Sequence, residues 1–444
     1  MAFFRKAILV NASTLASVAI QMVQTIIVTR ALGPGGIGQY SLVASTLMLC
    51  AQLCTLGFPT SLLYHCQHDA AGRNTYTMNG IWATAVLGGL GTIILALVTR
   101  LHGHYFGPLS WLACGIGGLY VLLTPLSGIT RNALMCDMKA RRLSIMAVGS
   151  MVAPLPLVCG LAAFGRLNVT TALFSFVATP LVRLTLGAWW MREDLDWRIR
   201  PTVDVVRRLG LMGVRLSSVD VLILFNSAFS LMILKALDAN FDHLGQFSRG
   251  QQLAMAVVTA SQAVLPLLFS RWAALPEAEL TRHVELVLRF LATFSVVIIA
   301  VLMICARTLV VTLYGIAFAP AVVPMMILLP GTLFFLLAKV ATQLLGSRGL
   351  PELSIAMLIV GAAVNALLSW LLIPGLGIHG AAVASTLGNL ALLVCLLVTL
   401  RSRFSVHLGR CLWLTGLDWR GILKQLHWSR SRVRQPQGGL PQVQ

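Results

Sequence analysis

Charge is what this sequence lacks. Only 11% of its 444 residues are Asp, Glu, Lys or Arg, against 57% from the hydrophobic set, and the mean hydropathy is +0.85. Soluble domains carry about a quarter charged residues, and a disordered basic chain would be poor in Leu, Val and Ile, so both classes are excluded. Acid is scarcer still, with 14 Asp and Glu opposing 33 Lys and Arg for a formal charge of +19. A polytopic membrane protein accommodates both facts if the basic residues follow topology rather than forming a nucleic-acid face.

Other absences narrow the chemistry. The nine cysteines form no CxxC pair and keep no metal-ligand spacing with histidine. Cys50 and Cys54 share a helix face, which reads as packing, and the His102/His104 pair has no third ligand nearby. No metal site or disulfide is expected. There is no Walker loop, no DxD run and no His/Asp/Ser constellation, so neither an ATPase nor another enzyme is expected, and no cofactor. No small-residue cleavage site follows Arg5 and Lys6, so the first apolar run reads as a retained helix.

What is present is a succession of apolar runs long enough to cross a bilayer core of about 30 Å, which needs roughly 20 residues per helix. Between polar breaks they fall near 7–29, 39–64, 79–99, 108–129, 144–164 and 169–190, then 211–234, 252–270, 285–306, 319–346, 353–373 and 379–400. The predicted fold is an all-α polytopic membrane protein of about 12 transmembrane helices. The amino-terminal basic pair puts that end in the cytoplasm, and an even span count returns the carboxyl end there. Of the 33 basic residues, 25 fall in the segments this arrangement makes cytoplasmic, six lie on or beside outer loops, and two, Arg183 and Lys339, lie within spans. That bias supports both the count and the orientation.

The chain also repeats itself. Arg30-Ala31-Leu32-Gly33 with Gly38-Gln39-Tyr40-Ser41 returns as Lys235-Ala236-Leu237-Asp238 with Gly245-Gln246-Phe247-Ser248. The second copy has two extra loop residues, after which the offset is 207 and Pro59 corresponds to Pro266. Two pseudo-symmetric six-helix lobes are therefore expected: residues 1–190, then a basic cytoplasmic linker at 191–210, then 211–400. Duplicated halves are a common transporter plan, with the substrate path between them. In the basic tail, 401–444, Leu412, Trp419, Ile422, Leu423 and Leu426 recur at helical spacing, as in a helix lying at the headgroups.

Polar residues in hydrocarbon are costly and line up where they face a bundle interior or a wet cavity. Thr14, Ser17, Gln21 and Gln24 or Thr25 form such a line in the first span, and Arg249, Gln252, Thr259 and Gln262 form one in the eighth. The seventh adds Arg215, Ser218, Asp220 and Asn226. Hydroxyls alone read as helix–helix glue. The charges say more: Arg30, Arg183, Arg215, Lys235, Arg249 and Lys339 lie in or at the edge of spans, and Asp220 is the one acid within them. Arg215 and Lys235 are expected to snorkel to headgroups. The remaining excess suits an anion such as a phosphate or pyrophosphate, gripped by forked, charge-assisted hydrogen bonds.

Arg30-Ala31-Leu32-Gly33-Pro34 with Gly38 and Tyr40, Gly57 and Pro59, Gly245-Gln246-Phe247-Ser248-Arg249, and Pro374-Gly375-Leu376-Gly377-Ile378-His379-Gly380-Ala381-Ala382 together resemble polysaccharide-lipid flippases of the Wzx type, within the multidrug/oligosaccharidyl-lipid/polysaccharide exporter superfamily. The resemblance covers roughly residues 5–400. It implies a V-shaped, alternating-access molecule in the bacterial inner membrane, with both termini cytoplasmic. It also implies a substrate, an undecaprenyl-diphosphate-linked oligosaccharide moved to the outer leaflet for O-antigen or exopolysaccharide biosynthesis. On this expectation Arg30, Arg249, Lys339 and Arg183, with Gln21, Gln24, Gln252 and Gln262, hold the substrate, and Asp220 is the candidate coupling acid. Protons, sodium, membrane potential and the pull of polymerisation are all compatible energy sources. Membrane lipids, a polysaccharide polymerase and other assembly proteins are the expected partners. The competing readings are a cation-coupled small-molecule or multidrug exporter of the same fold and a membrane scaffold anchored through its tail.

Overall fold

A helix of more than fifty residues opens the chain and another closes it, and each is too long for one crossing. In the computed structural model, residues 2–69, 72–101, 103–107, 110–137, 139–192, 199–238, 240–261 and 277–404 are described. Among them there are thirteen α-helices, one 3-10 helix and no strand. They are α1 (Ala2–Thr55), α2 (Phe58–His68), α3 (Arg73–Leu101), α4 (Gly103–Phe106), α5 (Trp111–Cys136), α6 (Ala140–Val152), α7 (Pro154–Ala163), α8 (Val169–Met191), α9 (Val203–Leu237), α10 (Phe241–Ser261), α11 (Glu277–Tyr314), the 3-10 helix Ile316–Ala321, α12 (Val322–Ser347) and α13 (Pro351–Phe404).

Among the described residues, nine helical segments are long and apolar enough to cross a membrane. Two of them, of 57 and 53 residues, would each extend about 80 Å if straight, more than twice the hydrocarbon thickness. Both break at a glycine of positive φ. In α1 this is Gly33 (φ 67°), followed by Pro34, whose missing N–H costs nothing at the start of the next helical limb. In α13 it is Gly377 (φ 55°). Beyond that break the limbs run antiparallel: a methyl on Gly361 would touch Leu392, one on Gly388 would touch Asn365, and one on Gly380 would touch Leu372. The eighth expected span begins in α10 and continues into 262–276, outside the described residues. Gln262, Pro266, His102, Arg198 and the tail beyond 404 lie outside them too.

α1 and α10 meet through a pair of glycines. Gly38 packs so tightly on α10 that an added Cβ would lie 1.9 Å from the carbonyl oxygen of Phe241, and one on Gly245 would lie 2.0 Å from that of Pro34. Phe241 is the counterpart of Pro34 at the 207-residue offset, and Gly245 that of Gly38. Each half thus presents the same glycine to the same backbone position of the other.

The apolar core divides accordingly. One cluster is shared by both halves and gathers Val28, Ile37, Leu42, Phe106 and Leu173 with Leu234, Phe247, Val310, Phe318 and Ile378. At the opposite end there are two clusters. Phe58, Leu62, Met78, Ile129 and Met146 make the first-half cluster, and Leu280, Leu288, Leu336, Leu344 and Leu396 the second-half one. The halves are therefore joined at one end and split at the other. α9 is the exception, because Leu209 is buried among the first-half residues while Leu222 and Ile223 pack with the second. The basic break at 191–210 is thus helical from Val203 and docked on the first half through Leu209, and Gly213 lies against Gly57.

Candidate functional site

Arg249 stands on α10 at the joined end and is buried. Its Nη2 donates to Ser41 Oγ at 3.0 Å, and its Nη1 donates to Gln252 Oε1 at 2.5 Å and to Thr29 Oγ1 at 3.4 Å. Gln252 Nε2 donates to Thr25 Oγ1 at 3.4 Å. Thr25, Thr29 and Ser41 lie on both limbs of α1, so one side chain ties both limbs to the other half. Among the described residues no carboxylate contacts the guanidinium, and its Nε has no hydrogen-bond partner. A buried cation held only by neutral oxygens is costly, which makes the contact one that can be exchanged for an anionic partner.

The same end is closed by four further contacts. Arg30 is exposed, and its Nε donates to the carbonyl of Leu313 at 2.9 Å while Nη2 donates to that of Thr312, capping the last turn of α11. It therefore ties the two halves together outside the split. Gln39 Nε2 donates to Phe106 O at 3.0 Å, and Tyr105 Oη donates to Met232 O at 2.7 Å. Burial pushes the Tyr105 phenol up to about 12, so it stays a donor at physiological pH. Lys235 departs from expectation. Instead of snorkelling it is buried, with Nζ 3.7 Å from the centroid of the Phe241 ring, because the aromatic face next to the loop offers a site that headgroups would otherwise supply. Arg215 does reach an edge partner, Glu352, at 2.8 Å, and both are exposed.

The other candidates have partners within one half or the other. Gln21 is exposed on α1, and Gln24 Nε2 donates to Ser175 Oγ at 3.2 Å on α8. Arg183 is half-buried, with Nε donating to Ser150 Oγ at 3.0 Å. Arg131, exposed on α5, is the neighbouring cation whose charge it feels. The sequence reading missed Arg131, because α5 runs on to Cys136 and carries that residue into the helix rather than into a loop. In the second half, Asp220 is exposed on α9, and Lys339 of α12 is its charged neighbour without direct ion-pair contact. Asp220 is also not the one acid among the spans: Glu285 is buried on α11, 3.8 Å from buried Arg289. The expected set is thus divided: Arg249 with Gln252 at the joined end, Arg183 and Gln24 with partners inside the first half, Asp220 beside Lys339 in the second, and Gln21 exposed on α1.

Inside the second half, between α9, α10, α12 and α13, lies a small, partly open polar cavity of about 30 Å³. Asn226 belongs to the polar residues of the seventh span in the sequence, but neither its partner Asn365 nor Asn389, which donates to the Gly331 carbonyl, is among the candidates there. Amides in the middle of apolar spans eleven and twelve were the available signal.

Two similar helical halves, packed together at one end and with separate cores at the other, define a multi-pass helical membrane protein. The backbone is similar to that of the lipid II flippase MurJ in an inward closed conformation, with a TM-score of 0.73 at 11% identity over 96% of this chain and 100% of that one. It is similar to an inward-facing multidrug resistance MATE family transporter of the MOP superfamily, at 0.71 and 12% identity over 90% and 98%. An outward-facing conformation of a transporter so described gives 0.61 at 12% identity over 90% and 95%. At these identities the likeness is one of fold. Sequence comparison with curated proteins finds no match. Residues 27–323, more than half of the chain, match the family of polysaccharide biosynthesis proteins, and the chain belongs to that family.

Proposed function

We propose that the protein carries an undecaprenyl-diphosphate-linked oligosaccharide across the bacterial inner membrane, taking it up on the cytoplasmic side and releasing it in the outer leaflet. The observation that carries the reading is the excess of cations within the helices, where Arg131 and Arg183 are neighbours in the first half and Lys339 neighbours the exposed acid Asp220 in the second. A diphosphate supplies the missing negative charge, and guanidinium forks bind it in two-point fashion. With the amino terminus inside, the split opens to the cytoplasm and Arg249 closes the outer end. Release requires the reverse arrangement, in which the Arg249 contacts part. The superfamily likeness to a flippase and to the inward-facing transporter supports this reading.

Cells lacking the protein should accumulate the lipid-linked repeat unit on the cytoplasmic side and lose surface polysaccharide. An Arg131→Ala/Arg183→Ala double variant, inserted at normal levels, should behave as the deletion does. Normal polysaccharide in that strain would remove the charge pair from the mechanism. Drug sensitivity that follows Asp220→Asn with intact polysaccharide would favour the exporter reading instead.

A further inference from the structure

We propose that the exposed face at the amino-terminal end of α9, where Arg207 and Arg208 stand among Val203, Leu211 and Val214, is a docking surface for an anionic phospholipid. α9 has 35 residues and a length of about 52 Å, against about 30 Å of hydrocarbon, so it must project beyond the bilayer core. The projecting end is the amino-terminal one, because Asp204, Arg207 and Arg208 fall within its first two turns. The aromatic neighbours agree. Trp190 and Tyr76 pack on the cluster that takes in Leu209, as do Val205 and Val206, and tryptophan and tyrosine settle at headgroup level. The first turns of α9 therefore lie where the phosphates of a membrane lie.

The helix divides its residues by face. Leu209, Gly213 and Ser217, spaced by four, are buried, with Leu209 in the cluster of Phe58 and Gly213 against Gly57. On the opposite side Arg207, Leu211 and Val214 share one line at helical spacing, and Arg208, Leu211 and Arg215 share the next. All five are exposed, Leu211 at 67%. Two carboxylates stand near: Asp204 in the first turn, and Glu352, which takes Arg215 at 2.8 Å. Among the described residues neither Arg207 nor Arg208 has a hydrogen bond or an ion pair.

Arginines interleaved with exposed aliphatic side chains select the partner. A water-soluble polyanion would satisfy the guanidiniums and leave Val203, Leu211 and Val214 against water, and bare hydrocarbon would do the reverse. A phospholipid brings a phosphate and an acyl chain side by side, and its phosphodiester accepts the forked hydrogen bonds of guanidiniums. A zwitterionic headgroup carries its own cation into the same place, so a lipid of net negative charge is preferred. α9 packs on the first half through Leu209 and on the second through Leu222 and Ile223, so a lipid clasped here also steadies the joint between them.

The test titrates the full chain in detergent with phosphatidylglycerol or with phosphatidylcholine of the same acyl chains, read by native mass spectrometry, and measures Tm in phosphatidylcholine nanodiscs with and without phosphatidylglycerol. The wild type is expected to bind phosphatidylglycerol about tenfold more tightly than phosphatidylcholine, and to melt higher in its presence. Arg207→Gln/Arg208→Gln is expected to lose both effects, and Leu211→Asn to weaken both lipids roughly fivefold. Arg401→Gln/Arg403→Gln, which removes the same charge from the exposed last turn of α13, is expected to keep both. Elution and Tm without phosphatidylglycerol confirm that each variant is folded. No preference in the wild type, a preference that the α9 double variant keeps, or an equal loss in the α13 variant would overturn the site. Displacement of phosphatidylglycerol by inorganic phosphate would overturn it too, and mark a site for a water-soluble anion.

Discussion

Ser41 Oγ donates to Ser248 Oγ at 3.1 Å, and the two serines are 207 residues apart, the offset of the duplication. Counterparts in a duplicated chain touch only beside the axis that relates them. The axis therefore passes through the joined end, between α1 and α10. A Ser41→Cys/Ser248→Cys chain in a cysteine-free background should close a disulfide on oxidation, since the side-chain oxygens already sit near the separation a bridge spans. Cleavage between the halves followed by non-reducing electrophoresis reads the bridge. Transport should stop when it forms and return on reduction, whereas transport unaffected by a quantitative bridge would show that this end never opens.

The axis is not chemically symmetric. The counterpart of Arg249 is Leu42, so one half puts a guanidinium where the other puts an alkyl chain. Arg249→Leu should weaken the joined end by about 2 kcal/mol, the scale of a charge-assisted hydrogen bond, and so shift the ratio of closed to open forms about 30-fold. Maleimide labelling of Thr29→Cys should quicken accordingly. Unchanged labelling would mean that the latch contributes nothing to closure.

Gly245→Ala should be more damaging than its size suggests, because the new methyl would fall 2.0 Å from the Pro34 carbonyl oxygen, and backbone on both sides must give way. Overpacking of this kind costs about 1–3 kcal/mol. Gly89→Ala, with nothing within 4 Å of the added carbon, is the control. A lower Tm and lost transport for the first, against neither for the second, is the expected pattern.

Arg183→Gln keeps a donor for Ser150 but removes the charge. Bare undecaprenyl diphosphate should bind roughly tenfold more weakly, and raised salt should weaken the wild type more than the variant. Equal salt dependence of the two proteins would take Arg183 out of diphosphate binding.

Much of this architecture is legible in the sequence, for physical reasons. Gly33-Pro34 and Gly377 mark the breaks because glycine accepts a positive φ, with Pro34 starting the next limb in the first case, and the repeated Gly-Gln-aromatic-Ser marks the contact between α1 and α10 because only glycine admits the other backbone. Arg249 and Gln252 were singled out by spacing on one face, and they do act together. What spacing could not give was the partner. Arg30 and Arg183 read alike as intramembrane cations, yet one caps α11 across the halves and the other donates to Ser150 within the first. Lys235 looked free to reach the headgroups until Phe241 was folded over it. Asn365 and Asn389 stand singly in apolar helices, and their meaning comes only from Asn226 and Gly331 across the bundle.

The division of the core has a last consequence. Between the two clusters at the split end, the near half of α1 is left bare: Leu15, Met22 and Val23 are exposed, beside Thr14 and Gln21. On the transport reading proposed above, a gap walled this way would be a doorway to the bilayer as much as to the water. A molecule with a greasy tail and a charged, hydrated head could pass through it sideways, its head among the arginines and its tail trailing in the lipid. Tail length would then matter little, and the protein would sort its cargo by the head alone.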